Sequence, residues 1–334
     1  MDDNTTLRNM GQAAAMNRYV NHSLHEWSVS GHTSQFAVIP MFIVIAAMVL
    51  HGLVCRVLWV RVVRGRQWYR TTLVPLPEVQ LALFVASCVA IAGIADLLVE
   101  SGEFLLGNWV LGSVLCRFFN GCRNVNYMAQ SLVCLFLLER VILNRNLAAQ
   151  IKIFAGTSSL ILALFFIVSF IYSKKVGHRC ILNATFTVKN LLYLPHYVCL
   201  FAIIVLTALA VYVAKKRRSE FTIQQEHDEA LTIDDSERNR RRIENLCLTI
   251  SSLCACAYTG RIATKVFIIA NAGVSSWSFQ LFYLAENLWE STLFLLTGSA
   301  YFWFYPNYWE TVKKYFAKTE RSDQCMSEAI LSSN

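Results

Sequence analysis

The sequence predicts an all-α fold: a seven-transmembrane helix bundle with its N-terminus outside and a short amphipathic membrane-surface helix after the seventh span. Three observations on this 334-residue chain carry the prediction. Seven long apolar stretches recur along it. Hydrophobic residues make up 55% of the whole, with a mean hydropathy of +0.43, where a typical soluble domain holds about 45–50% apolar residues with glycine included. Basic residues crowd into alternate gaps between the stretches. With no water in the bilayer core to satisfy backbone groups, only helices or closed barrels can cross it, and continuous apolar runs exclude the alternation of barrel strands.

In order, the stretches read 36–60, 73–99, 110–142, 151–172, 190–214, 243–270 and 278–305. Each reaches the ~20 residues that cross ~30 Å of hydrocarbon at the helical rise. Residues 1–35 form an extracellular tail. They lack the basic start and apolar core of a cleavable signal peptide, so the first span is expected to serve as its own insertion signal. A cytoplasmic loop, 215–242, separates the fifth and sixth spans, and 306–334 hold the surface helix and a cytoplasmic tail.

The formal charge of +8 invites a nucleic-acid reading, but its placement argues for a membrane instead. Twenty lysines and arginines fall on one side: Arg56, Arg61, Arg64, Arg66 and Arg70; Arg140, Arg145 and Lys152; Lys215 to Arg218, Arg238 and Arg240 to Arg242; and Lys313, Lys314, Lys318 and Arg321. Six fall on the other: Arg8, Arg18, Lys174, Lys175, Arg179 and Lys189. By the positive-inside rule the richer side is cytoplasmic. The glycosylation triplets at Asn4, Asn21 and Asn183 all fall on the opposite, outer side.

Most of the eleven cysteines lie inside spans, where a thiol is a small apolar group. Cys116, at the outer start of the third span, and Cys180, in the loop after the fourth, are placed where an oxidising exterior reaches them; Cys122 is a rival partner two turns deeper. A bridge there would pin the loop over the bundle mouth.

Several segments resemble the rhodopsin-like (class A) G-protein-coupled receptors. Trp109-Val110-Leu111-Gly112-Ser113-Val114-Leu115-Cys116 is similar to the family's Trp-x-x-Gly-x-x-x-Cys element, which leads into the third helix and its loop disulfide; the resemblance implies Cys116–Cys180. Glu139-Arg140-Val141 resembles the Asp-Arg-Tyr triplet, which implies that Arg140, beside Glu139, contacts a heterotrimeric G protein. A plain basic anchor at a helix end is the blander account. Tyr305-Pro306-Asn307-Tyr308-Trp309 is similar to Asn-Pro-x-x-Tyr, with the asparagine and tyrosine changed, and Pro195 matches a helix-bending proline of the fifth helix.

Departures stand beside the matches. Val85 occupies the place of the family's sodium-binding acid in the second span. The sixth span has no proline, Cys256-Ala257-Tyr258-Thr259 standing nearest to Cys-Trp-x-Pro, and the fourth has no tryptophan. Erosion of several switch motifs together resembles herpesvirus-encoded receptors and invertebrate chemoreceptors. It motivates the expectation of signalling without ligand, because weaker restraints narrow the gap between inactive and active states.

Ionisable residues inside spans are costly and mark function by default. Arg123 lies two turns below Cys116, where family members place a ligand-contacting side chain; Arg261 and Lys265 sit four apart in the sixth span. Facing them are Asp96 and Glu100, and Glu286 and Glu290, each pair again four apart. These residues are read either as a ligand pocket anchored on Arg123, for a peptide or an anionic small molecule, or as structural pairs, Asp96 with Arg123 and Glu290 with Arg261.

Tyr308, Trp309, Tyr315 and Phe316 among lysines suit the membrane-surface helix, with Cys325 available for palmitoylation. Ser322, Ser327, Ser332 and Ser333 are candidate kinase sites for arrestin recruitment. No hydrolase, zinc-protease or phosphate-loop motif is present, and no cofactor or metal is expected. The sequence therefore predicts a plasma-membrane receptor that couples an extracellular ligand to a G protein, with membrane lipid as its solvent. A non-signalling scavenger or heteromerising protein is the first alternative. A transporter is the second, against which stand the odd span number and the lack of matched broken helices.

Overall fold

The computed structural model describes residues 38–68, 77–106, 110–143, 148–176, 179–182, 186–227, 235–270, 276–305, 308–309 and 312–313. Seven long helices run through them: α1 (Val38–Trp68), α2 (Pro77–Leu106), α3 (Gly112–Leu143), α4 (Ala148–Tyr172), α5 (Phe186–His227), α6 (Asp235–Ala270) and α7 (Ser276–Phe304). Between α4 and α5 stands an antiparallel hairpin, β1 (Ser173–Val176) and β2 (Arg179–Leu182), with Ser173 opposite Leu182 and Lys175 opposite Cys180. Asn4, Asn21, Asn183, Pro306 and Cys325 lie outside the described residues, as does most of the expected surface helix. Lys265 lies on α6, but its side chain is outside them too.

The all-helical expectation holds, and the protein is built for a membrane. Among the described residues, five segments are long and apolar enough to cross one: Val38–Trp59, Val79–Glu103, Gly112–Leu143, Leu192–Glu220 and Arg238–Ala263. Helix α4 is apolar over its described stretch Gly156–Tyr172, and α7 carries Glu286 and Glu290 in its first half. The flanks of the bundle display Phe42, Val49, Val114, Phe201 and Trp303, the last 82% exposed. A continuous apolar exterior of this kind suits lipid, because water would penalise it heavily. The hairpin was not anticipated, since two strands of four residues are too short to establish a period-two pattern.

Local sequence explains the helix ends. Pro77 opens α2, where a missing N–H leaves no bond unmade. Gly112 takes φ +79° at the start of α3. No neighbouring atom crowds it, so backbone conformation alone favours glycine there. Pro195 is accommodated inside α5.

Helix α3 occupies the middle, touching α2, α4, α5 and α6, while α1 packs on α2 and α7, and α6 on α7. At the end away from the hairpin a core of Val54, Leu58, Leu83, Leu137, Leu138, Ile203, Leu246 and Tyr301 joins six helices. Among lipid tails, apolar burial between helices supplies little drive, so close packing and interhelical hydrogen bonds hold the bundle.

Several such bonds reach backbone acceptors. The Tyr301 hydroxyl donates to Leu83 O at 3.1 Å, and His51 Nε2 donates to Phe294 O at 3.0 Å. The Asn126 amide of α3 enters the ladder of α2, its nitrogen donating to Val89 O (2.7 Å) and its oxygen accepting from Gly93 N–H (3.1 Å). Gly93 permits that approach: a Cβ there would stand 2.5 Å from the nearer atom of the Asn126 side-chain amide and 2.8 Å from Phe294 Cζ.

Past α7 the chain turns at Tyr305, and Tyr308 and Trp309 pack on Phe302 with ring centroids 4.5 and 5.1 Å away. Burial pushes the Tyr308 phenol up to about 12.

Candidate functional site

The helical repeat brings the ionisable residues of the hairpin half onto facing surfaces. Asp96 and Glu100 lie one turn apart on α2, Arg123 and Tyr127 on α3, and Glu286 and Glu290 on α7, with Arg261 opposite them on α6. Arg123 meets Asp96 bidentately, Nε to Oδ2 at 2.7 Å and Nη2 to Oδ1 at 3.2 Å, while its Nη1 reaches Glu100 Oε1 at 2.6 Å. This fork uses the planar guanidinium fully.

Arg261 forms the second centre. Its Nε lies 2.5 Å from Glu290 Oε1 and 3.5 Å from Glu286 Oε1; its Nη2 donates to Glu290 Oε2 at 3.2 Å and faces Glu100 Oε2 at 3.9 Å. Glu100 therefore stands between the two guanidiniums. The guanidinium of Arg261 sits 3.7 Å from the Tyr127 ring centroid, and the Tyr127 hydroxyl donates to Glu290 Oε2 at 3.2 Å. Beneath it, the Tyr258 hydroxyl donates to Tyr127 O.

Both pairings considered from sequence, Asp96 with Arg123 and Glu290 with Arg261, are thus present, and Glu100 fuses them into one cluster. Tyr127 was missed, although its position four residues beyond Arg123 was a usable signal. Removing one partner from such a buried cluster costs about 3–5 kcal/mol, because a charge is left uncompensated. Two small cavities border it. One, of about 50 Å³, lies between Gln130, Cys134, Cys254, Glu290, Phe294 and Thr297; the other, of about 30 Å³, between Tyr127, Tyr193, His196, Tyr258 and Arg261.

Cys116 and Cys180 are joined by a disulfide, Cα to Cα 5.3 Å, which ties β2 to the first turn of α3. Cys122, the rival, is free. Asn120 Nδ2 donates to Cys180 Sγ at 3.0 Å, and Glu103 Oε1 accepts the Cys180 N–H at 3.4 Å, so the hairpin also leans on α2.

At the other end, Arg140 is buried with its guanidinium 4.8 Å from the Phe136 ring centroid, and Glu139 is half-buried. Arg217 of α5, missed in the sequence as one of four consecutive basic residues, organises this end. Its Nη1 donates to Val141 O at 2.8 Å and its Nη2 to Ile142 O at 2.7 Å, which caps the last carbonyls of α3. Nη1 also lies 3.4 Å from Glu244 Oε1 of α6, a carboxylate shared with Arg240 at the same distance. Arg218 Nη2 donates to Asn245 Oδ1 at 2.6 Å. Of the expected switch residues, Tyr305 is buried and Trp309 is exposed.

Among the described residues, no three His, Cys, Asp or Glu side chains converge as metal ligands. Neither a protein-family model nor a curated protein matches this chain.

Proposed function

We propose that the chain is a seven-pass receptor of the rhodopsin-like kind in the plasma membrane. The hairpin end and the N-terminus face outside, and a heterotrimeric G protein binds the Arg140 end. Ligand binding, or spontaneous rearrangement, shifts the population of helix arrangements, and the G protein reads that shift. One observation carries the reading. The Cys116–Cys180 disulfide fastens the segment between α4 and α5 to the start of α3, at the position the Trp-x-x-Gly-x-x-x-Cys element implies, in a chain with seven long helices.

The cluster of Asp96, Arg123, Arg261, Glu286 and Glu290 is the proposed floor of the ligand pocket, with Lys265 one helical turn from Arg261. Because Asp96 and Glu100 already hold Arg123, an anionic ligand must compete with two carboxylates for it. Glycosylation at Asn4, Asn21 and Asn183, palmitoylation at Cys325 and arrestin binding to the tail belong to the same reading.

The test is G-protein activation in transfected cells, with and without Arg140→Ala at matched surface expression. Activation above mock that falls with Arg140→Ala supports the receptor. Activity indistinguishable from mock across the G-protein classes points to the non-signalling scavenger.

A further inference from the structure

We propose that the outward seam between α5 and α6, at the Arg140 end of the bundle, binds a phosphorylated inositol lipid of the adjoining leaflet. The proposal shares with the receptor reading its assignment of that end to the cytoplasmic leaflet, but requires neither ligand nor G protein.

Helical rotation divides the basic residues of this end into two sets. Arg217 turns toward α3 and α6, its Nη1 donating to Val141 O at 2.8 Å and lying 3.4 Å from Glu244 Oε1, and Arg240 faces the same carboxylate. One residue further along each helix, about 100° round its axis, Arg218 Nη2 donates to Asn245 Oδ1 at 2.6 Å. That bond marks the seam on the side turned away from α3. Lys215 stands one turn from Arg218 on α5, while Arg242 and Arg238 stand one and two turns from Asn245 on α6, so the three share the face of the seam. Each of the three is exposed, and among the described residues none of them has an ion-pair partner. Lys216 is off this face, on the other flank of α5, with Glu220 Oε1 4.0 Å away.

Depth decides which anion fits. The three cations fall in the end turns of Leu192–Glu220 and Arg238–Ala263, two of the segments able to cross a membrane. Tyr212, 65% exposed on the face of Lys215, carries the amphipathic ring that favours the membrane interface. With Arg217 level with Glu244, Lys215 lies about 3 Å nearer the hydrocarbon, Arg242 about 3 Å further from it and Arg238 about 9 Å further, a spread of about 12 Å. The polar layer of one leaflet is only about 5–7 Å thick. A lipid with a single phosphate therefore meets the upper part of the seam and leaves Arg238 beyond its reach. An inositol ring that carries further phosphates below its phosphodiester presents negative charge at both depths. Clustered cations just beyond a membrane span attract such headgroups most strongly.

The experiment adds dioctanoyl phosphatidylinositol bisphosphate to the purified full chain in neutral detergent and measures bound lipid by native mass spectrometry, beside dioctanoyl phosphatidylserine and free inositol trisphosphate. Expected is binding of the bisphosphate lipid at least about tenfold tighter than of either comparator. Lys215→Gln, Arg238→Gln and Arg242→Gln should each weaken it about fivefold, and Lys216→Gln by less than about twofold. An unfolding temperature equal to that of wild type verifies the fold of each variant, and the wild-type comparison of the three anions keeps the test decisive if one fails to fold. Phosphatidylserine bound as tightly as the bisphosphate lipid, free inositol trisphosphate matching it, or Lys216→Gln costing as much as the seam substitutions overturns the proposal. No G protein is present, so failure here leaves the Arg140→Ala test intact, and failure there leaves this one intact.

Discussion

Replacing Arg217 by alanine removes two hydrogen bonds from a charged donor to the terminal carbonyls of α3, at 2.8 and 2.7 Å. Bonds to charged groups contribute about 1.5–3 kcal/mol each. The Arg217 side chain is 23% exposed, so water replaces part of what is lost and the lower figure applies to each bond. The 3.4 Å pair with Glu244 adds about 0–1 kcal/mol, and Glu244 keeps Arg240. The expected loss is about 3 kcal/mol, roughly half of it recovered by Arg217→Lys, which retains the charge but not the paired donors. Equilibrium unfolding of the purified chain in mixed micelles, followed by far-UV circular dichroism, measures it. A double-mutant cycle with Glu244→Gln should return a coupling of about 1 kcal/mol or less. If Arg217→Ala costs under about 1 kcal/mol, or Arg217→Lys matches wild type, the capping argument is refuted.

The remaining predictions concern the middle and the hairpin end. Gly93→Ala forces a methyl against Asn126 and Phe294, and is expected to lower stability by about 1–3 kcal/mol in thermal unfolding. Cys180→Ser opens a link of 64 residues and should cost up to roughly 4 kcal/mol in the chain-entropy account, read as a shift in unfolding temperature that reductant reproduces in wild type but not in the variant. Arg261→Met strands Glu290 and Glu286, and should be destabilising by about 3–5 kcal/mol, with Glu290→Gln in the same chain restoring part of the loss. Tyr301→Phe loses the bond to Leu83 O and should cost about 1 kcal/mol.

What could be read without coordinates follows from where the hydrocarbon leaves no choice. Helices α1 to α7 are legible because each coincides with a long, unbroken apolar run, and only a helix lets so long a run bond its backbone within itself. Asp96 with Arg123, and Arg261 with Glu290, are legible for a related reason: charges inside apolar runs need partners, and few are on offer. The illegible contacts have a backbone atom at one end. Arg217 on Val141 O, Asn126 on Val89 O, Tyr301 on Leu83 O and Tyr258 on Tyr127 O all use acceptors that every residue carries, so no residue type announces them. The hairpin was hidden by brevity, and Tyr127 by its resemblance to ordinary apolar filling.

Helix α6 is fastened about a quarter of its length in from each end, by Arg261 to α2 and α7 on one side and by Glu244 to α5 on the other, with Tyr258 clasping α3 one turn before Arg261. A rod held this way cannot swing freely. Loosening the Arg261 end leaves the Tyr258 and Glu244 contacts in place, so any swing of that end pivots about Tyr258, one turn away.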